Sequence, residues 1–394
     1  MPALALLALA VTIAYSQTQY PEGLLDVKSS FMREAAQAMG EPFRGLTTSD
    51  GLIEGLFEVR ETGVSTAPVL EAANAFLATL NPAQLSRLHF GIEDLEWRHW
   101  SNVDVGIFSR RGVSLEEMDE EQKAAAWNLL DQSLSAAGAE KTRSIMRTDH
   151  RLLELNGDPI SFGEEKYYFT FMGMPSESEP WGWQLDGHHL IINYFVLGDQ
   201  VVMTPAFWGG EPVRTEAGRY AGNVILQGEQ DQGLALMQSL SPEQQANATI
   251  DPVKNGSDMA AGANQDNLVL GPEGIRATEL DSAQQLALLG VIREYVGNLR
   301  DPHAEVTMEE IGEHLDDTWF GWRGAPEDDA VFYYRIQSPI ILIEFDHQSP
   351  VGTLQKNQPG VPTRDHIHTV VRTPNGNDYG KDLLAQHLAA EPHC

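Results

Sequence analysis

Runs of apolar and β-branched residues gather in two parts of the chain and predict two blocks of β-strands. The first block predicts strands over residues 166–171, 189–196 and 201–204, with Gly198-Asp199 as the hairpin turn between the last two. The second block predicts strands over residues 331–336, 340–345 and 366–372, with Ser338-Pro339 as its first turn. The two blocks are expected to join in one sheet or sandwich.

The first half of the chain is expected to be mostly helical, and helix-start signals recur along the whole chain. An N-cap acceptor followed three residues later by Glu or Gln satisfies free backbone amides at both positions. This signature occurs at Asn81, Ser114, Ser241, Asp281 and Thr307. The apolar residues Ala125, Leu129, Leu130 and Leu134 then follow helical spacing, and Gly138 is expected to close that helix. Because the intervals are irregular, we interpret the signature as local helix capping and not as the repeat of a solenoid.

These patterns together predict an α+β protein with helices packed on a mostly antiparallel sheet or sandwich. Residues 17–394 are expected to form a single α+β domain. Its N-terminal half, residues 17–160, is expected to be rich in helices, and residues 161–394 rich in sheet.

The first 16 residues have the features of an export signal. They contain an apolar stretch that ends in Ala14-Tyr15-Ser16, a small-x-small cleavage site, although no Lys or Arg precedes Lys28. The stretch is short for a membrane span, and no second stretch reaches 18 apolar residues. The sequence therefore predicts an exported, periplasmic or extracellular protein whose mature chain does not span a membrane.

Composition narrows the function classes. The 394 residues contain 57 acidic and 26 basic side chains, giving a formal net charge of −31, with no basic stripe to bind nucleic acid. A small-molecule substrate or ligand is the expected partner instead. Cys394 is the single cysteine, so any transition-metal ligands must be His, Asp or Glu.

Two short histidine pairs point to a metal site. His366 and His368 are two residues apart on a predicted strand, so their rings lie on one face and can bind a single ion. His188 and His189 are adjacent and would face opposite sides, unless the backbone bulges near Gly187. We predict all four as ligands of a divalent transition metal, with zinc, copper and iron left open.

Charged residues near these pairs are the catalytic candidates. Glu344 and Asp346 share a face at the end of a strongly apolar run, where either could act as a general base or complete the metal site. Arg372 lies on the face of His366 and His368 and could bind a substrate carboxylate or an oxyanion. An internal salt bridge from Arg372 to Asp378 or Asp382 is the alternative.

The remaining candidates are assigned to substrate binding. Trp181 and Trp183 would form an apolar wall beside the first histidine pair, with Gln184 and Asp378 as polar contacts. The alternative for the two tryptophans is an ordinary place in the core.

The same segments resemble a known family. Residues 180–189, residues 333–336 and 342–346, residues 366–372 and residues 377–380 are similar to the bacterial and fungal family called domain of unknown function 3500. The resemblance covers nearly all of the chain after the export signal. It implies that both histidine pairs belong to one domain and that export signals are common among members, but it implies no activity.

The residues therefore favour an exported metal-dependent enzyme, with hydrolysis preferred because no second cofactor motif is visible. A copper- or iron-dependent oxidoreductase and a non-catalytic protein that binds a sugar or another small molecule are the alternatives. Ring nitrogens of the two pairs within about 3–4 Å of one another would favour the metal, and separations beyond about 8 Å would favour the binding protein.

Overall fold

A computed structural model describes residues 24–390. The predicted export signal, residues 1–16, and Cys394 lie outside the described residues. Among the described helices, none is long and apolar enough to cross a membrane.

Ten α-helices are found in the described part of the chain. They are α1 (Leu24–Gly40), α2 (Ala67–Thr79), α3 (Pro82–Leu88), α4 (Glu120–Ser133), α5 (Ala136–Asn156), α6 (Gln227–Ser239), α7 (Pro242–Ala248), α8 (Ser282–Val296), α9 (Asp301–Glu313) and α10 (Lys381–Ala390). Helices are thus distributed over both halves, whereas the sequence indicated a helix-rich first half.

Within residues 24–390, thirteen strands form one continuous mixed sheet. They are β1 (His89–Phe90), β2 (Val113–Ser114), β3 (Tyr168–Met172), β4 (Trp181–Gly187), β5 (Leu190–Leu197), β6 (Gln200–Val202), β7 (Ala206–Gly210), β8 (Thr249–Asp251), β9 (Ile275–Arg276), β10 (Trp319–Gly324), β11 (Phe332–Gln337), β12 (Leu342–His347) and β13 (Ile367–Arg372).

The sheet order is β1-β3-β4-β5-β7-β13-β12-β11-β10-β8, with β2, β6 and β9 paired at the sides. All neighbours are antiparallel except β1 with β3 and β8 with β10. The predicted α+β class with a mostly antiparallel sheet is confirmed. The six predicted strands correspond to β3, β5, β6, β11, β12 and β13, while β4, β7 and β10 were not predicted.

The two faces of the sheet are covered differently. One face packs against apolar residues of α2, α4, α5, α6, α8 and α9 in a core that runs through both halves of the chain. The other face is covered by α10 and by irregular segments, including Trp97, Trp100 and Ala261. Burying both faces explains why the central strands are apolar at nearly every position.

The two halves of the chain repeat one another. Each half runs helix, short helix, short strand, short strand, two helices and then the long strands. The registers agree: Phe171 of β3 lies opposite His89 of β1, and Trp322 of β10 lies opposite Thr249 of β8. The last long strand of each half, β7 and β13, pair antiparallel at the middle of the sheet.

A glutamine pair that occurs once in each half supports the repeat. Gln84 and Gln122 exchange amide hydrogen bonds of 3.1 and 2.9 Å, and Gln244 and Gln284 do the same at 2.9 and 3.0 Å. All four glutamines are third residues of capping boxes, at Asn81, Asp119, Ser241 and Asp281. The capping boxes at Asn81, Asp119, Ser241 and Asp281 therefore occupy matching places in an internal repeat of the fold, which the interpretation of the signature as local did not identify.

Two further helix predictions are corrected. Thr307 lies inside α9, which begins at Asp301 with Pro302 in its first turn. Gly138 does not end α4. It lies in the first turn of α5, where the backbone oxygen of Asn298 leaves no room for a β-carbon, and Ser135 caps that helix.

Candidate metal centre

His188 and His189 form the two-residue turn between β4 and β5. The flanking residues Gly187 and Leu190 pair across the hairpin, and His189 has a positive φ of 60°. A side chain at Gly187 would collide with the ring of Tyr167, whose hydroxyl donates to the His188 carbonyl. The two histidines are therefore turn residues and not adjacent strand residues facing opposite sides.

Backbone contacts hold this turn beside the middle of the sheet. The amide of His189 donates to the Asn102 carbonyl at 3.0 Å, and the His189 carbonyl accepts from the amide of Gly209 at 2.7 Å. Gly209 in turn lies opposite His368 in the pairing of β7 with β13. This chain of contacts brings the first histidine pair to the second.

Three of the four predicted ligands converge. The Nε2 atom of His366 lies 2.9 Å from Nε2 of His368 and 3.3 Å from Nε2 of His189. One ring nitrogen from each of the three residues lies within 4.8 Å of the others, as ligands of one ion require. Three nearby histidines that can bind a metal ion are thus present, and we call them the trihistidine cluster.

Burial keeps the trihistidine cluster uncharged. It lowers the pKa of all three imidazoles, and the neighbouring histidines lower those of His189 and His368 further. The carboxylate of Glu211 opposes the effect of burial at His366. Because a metal binds neutral imidazole, this environment favours the form that can coordinate.

The tautomer of His366 is fixed by its outer contacts. Its Nδ1 lies 2.8 Å from the carbonyl of Ser349, which can only accept, so the proton resides on Nδ1 and Nε2 carries the lone pair. The Glu211 carboxylate is 3.5 Å from the same nitrogen and accepts from the amides of residues 351–353. Glu211 therefore fixes the loop that orients His366.

His188 lies beside the trihistidine cluster but outside it. Its ring stacks on that of His189, with centroids 3.9 Å apart. Its Nδ1 is 2.6 Å from Oδ1 of the buried Asp149, whose other oxygen accepts from the amide of Gly163. This contact directs the Nδ1 proton toward Asp149 and leaves Nε2 as the basic nitrogen, free of hydrogen bonds to the described residues.

The predicted bases Glu344 and Asp346 hold a loop. Glu344 accepts from the amides of Ala260 and Ala261 and from the hydroxyl of Tyr333. Asp346 lies opposite His368 in the sheet, but its carboxylate accepts from the amides of residues 258 and 259 and pairs with Lys254 at 2.8 Å. Burial raises the pKa of Asp346 to about 6, against the effect of Lys254.

Arg372 and Asp378 form an internal ion pair. Arg372 is fully buried and donates to Asp378 at 2.8 Å and to Asp266 at 2.7 Å. Burial alone would lower the pKa of Arg372, but the two carboxylates raise it. Both residues therefore have the structural role that the sequence offered as the alternative, and neither is brought to the trihistidine cluster.

The predicted substrate-binding residues of β4 lie in the core. Trp181 and Trp183 are fully buried, and Trp183 stacks on Tyr194 with centroids 5.2 Å apart. Gln184 donates to the carbonyl of Trp97 and to Asn193. These contacts correspond to the alternative considered for the tryptophans.

Sequence reasoning missed Asp149 and Glu211. Asp149 interrupts the buried face of α5, next to Ile145, Met146 and Leu152. A lone acid on the apolar face of a helix was the available signal, since a buried carboxylate needs a partner. Glu211 had no comparable signal, because the loop amides that it binds are distant in sequence.

Comparison with known proteins gives a family but no named relative. No curated protein and no solved structure matches the chain. The family described as "Protein of unknown function (DUF3500)" matches residues 62–381, a span that contains the trihistidine cluster, Asp149 and Glu211. The chain belongs to this family.

Proposed function

We propose that this protein is a metal-dependent enzyme, with hydrolysis as the favoured reaction. The observation that carries the proposal is the convergence of the Nε2 atoms of His189, His366 and His368. Three neutral imidazoles with no competing cysteine suit zinc, and also copper or iron. A divalent ion held there would act as a Lewis acid toward a substrate carbonyl or phosphoryl oxygen.

The pair formed by His188 and Asp149 supports a hydrolytic reaction. Asp149 orients the ring, and the Nε2 atom of His188 can then accept a proton from water or return one to a leaving group. This arrangement gives the site a base that Glu344 and Asp346 cannot supply while they bind the loop at residues 258–261. His188 is thus proposed as a general base rather than a ligand.

The proposal includes export, on the basis of the apolar residues 1–16. Fractionation of cells that express the full chain, with immunodetection of the periplasm and medium, tests this part. Detection in the cytoplasm alone would contradict it.

Elemental analysis of protein purified without a His tag tests the metal. We expect about one equivalent of a transition metal in the native protein and loss of most of it in the His366→Ala/His368→Ala variant, because one imidazole cannot retain the ion alone. His89→Ala, a substitution on the border strand β1, is the matched control and should keep its metal. A metal-free native protein would refute the proposal.

The identity of the metal decides between reaction classes. Zinc supports hydrolysis, which a panel of activated carboxylic and phosphoric esters can detect, whereas stoichiometric copper or iron would redirect the search to oxidation. A metal-loaded protein inactive in both assays would favour a non-catalytic binding role.

A further inference from the structure

A cavity lies away from the trihistidine cluster. It has a volume of about 510 Å³ and is enclosed by α9, the segment 55–62, strands β6 and β7 and the turn between β11 and β12. None of His188, His189, His366 and His368 lines it. A cavity of this size matches small-molecule sites in other proteins.

The repeat relates this cavity to the metal centre. The β11–β12 turn is the counterpart of the turn that carries His189, and Ile340 is the residue that corresponds to His189. By the same registers, Gln200 and Val202 correspond to His366 and His368, because Val202 lies opposite Phe195 just as His368 lies opposite Asp346. None of these three counterparts is a histidine and all three line the cavity, so the cavity occupies the place that the repeat relates to the trihistidine cluster.

The wall of the cavity suits an aromatic or aliphatic group. Trp208, Ile341 and Leu299 are buried and line it, together with the half-buried ring of Phe57. An aromatic ring can pack against Trp208, and a cation near that ring gains further from its π-system.

One polar side chain of the cavity wall is an imidazole. His303 is 4% exposed and lines the cavity, and its ring makes no hydrogen bond with another described residue. Its ring nitrogens are not fully enclosed by the protein, so a ligand in the cavity can reach them. Burial lowers the pKa of His303 to about 4, so at neutral pH the ring offers an acceptor nitrogen as well as a donor.

The opening of the cavity is acidic. Glu58, Glu309, Glu310 and Glu313 line it, against Arg60 as the permanent cation, and Arg60 already pairs with Glu310 at 2.6 Å. The local charge is therefore negative, which attracts cations and repels carboxylates.

We propose that this cavity is a second binding site, which takes a small amine carrying an apolar, preferably aromatic, group. The apolar group packs against Trp208 and Ile340, and the ammonium lies between His303 and the glutamates of the opening. The site does not depend on the metal.

Calorimetric titration with three probes of the same shape tests the proposal. Phenethylamine, phenethyl alcohol and phenylacetate differ in charge but share the ring and its two-carbon arm. We expect phenethylamine to bind one to one, the alcohol to bind about tenfold more weakly, and phenylacetate not to bind at millimolar concentration, because the glutamates of the opening attract the ammonium and repel the carboxylate. Phenylacetate that binds as tightly as the amine, or three probes that all fail to bind, would overturn it.

Substitutions locate the binding. Glu310→Gln removes one acid and frees Arg60, so the amine should bind about fivefold to tenfold more weakly while the alcohol is unaffected. Glu305→Gln is the control, since this residue lies on the same helix, pairs with Arg293 and does not line the cavity. Equal losses in both variants would count against the site.

Filling the cavity gives the second test. Ile340→Trp should abolish binding of the amine, and Thr307→Trp, on the half-exposed inner side of α9, serves the same purpose if the first variant does not fold. Binding that persists in a folded filled variant would overturn the proposal. Binding should be unchanged in the His366→Ala/His368→Ala variant, which separates this result from that of the metal analysis.

Discussion

At the scale of single residues, the chemistry of the site could be predicted better than its geometry. The spacing of His366 and His368 predicted that both rings share a face, and the structure brings their Nε2 atoms to 2.9 Å. The side-chain directions of His188 and His189 were harder to predict, because a two-residue turn with one positive φ directs side chains differently from a strand. Glu344 and Arg372 were ambiguous, since their partners in the loop at residues 258–266 lie far away in sequence.

The different positions of His188 and His189 predict different effects of substitution. His189→Ala should lower the metal content of the purified protein severalfold, because it removes one of three convergent nitrogens. His188→Ala should retain about one equivalent, since its ring stacks on the cluster without joining it. Elemental analysis of both variants checks this, and a metal-free His188→Ala protein would restore His188 as a ligand.

His303 predicts a dependence of stability on pH. Its pKa is about 4 in the folded protein, against an ordinary value of 6.5, mainly because burial disfavours the charged form. Between these values the unfolded chain binds the proton and the folded protein does not. Neutral His303 therefore makes its full contribution to the free energy of unfolding above pH 6.5. This contribution, at most about 3 kcal/mol, is lost as the pH falls toward 4.

Urea unfolding at a series of pH values measures this effect. His303→Phe should flatten the pH dependence of the unfolding free energy between pH 6.5 and 4 relative to the native protein. An unchanged slope in this variant would show that other groups account for the acid sensitivity.

At the scale of elements, each duplicated unit is held together by its pair of glutamines. Gln122 joins the start of α4 to the carbonyl of Thr79, the last residue of α2, and Gln284 joins α8 to Ser239 at the end of α6. The capping boxes themselves could be read from the sequence. The hydrogen-bond partners of these glutamines in the other helix could not be predicted. In the sequence, a capping glutamine that also bonds to a second helix does not differ from one that does not.

Removing either glutamine pair should destabilise the protein, and we expect a larger loss for the Gln84–Gln122 pair than for the Gln244–Gln284 pair. Gln122→Ala removes a side chain that is 6% exposed and leaves the Gln84 amide without its partner, at an expected loss of about 1–3 kcal/mol. Gln284→Ala should cost less, because its partner Gln244 is only half-buried and can reach water. Chemical denaturation compares the two variants, with the exposed Gln37→Ala as the control, and a larger loss in Gln284→Ala would contradict this ranking.

At the scale of the whole molecule, the sequence predicted the class but not the symmetry. The apolar runs identified the α+β class and six of the long and short strands. The strands that were missed explain why the duplication was not seen: β4 and β7 contain glycines and tryptophans rather than β-branched residues, and β10 is similar. Without these strands, the second half did not resemble the first.

The pairing of β7 with β13, which connects the two halves of the sheet, predicts how the protein unfolds. Strands β7 and β13 pair over five residues, and one apolar core runs beneath both halves. We therefore expect a single cooperative transition, with coincident curves from tryptophan fluorescence and far-ultraviolet circular dichroism.

A substitution where β7 pairs with β13 makes this test of cooperative unfolding more specific. Thr369→Val removes the hydrogen bond from Thr369 to the Trp208 carbonyl and should shift the whole curve by about 1 kcal/mol without splitting it. Two separate transitions in the native protein would show instead that the halves unfold independently.

The short strands β1 and β8 have a consequence for how copies of the protein behave together. Together with β2 and β9 they form the two outer borders of the thirteen-stranded sheet, and each of the four strands is only two or three residues long. These borders offer a second copy of the protein too few free amides and carbonyls to extend the sheet by strand pairing. We therefore expect the sheet not to promote fibril formation at its edges, despite its width. Each half of the repeat thus contributes one short-stranded border of the sheet.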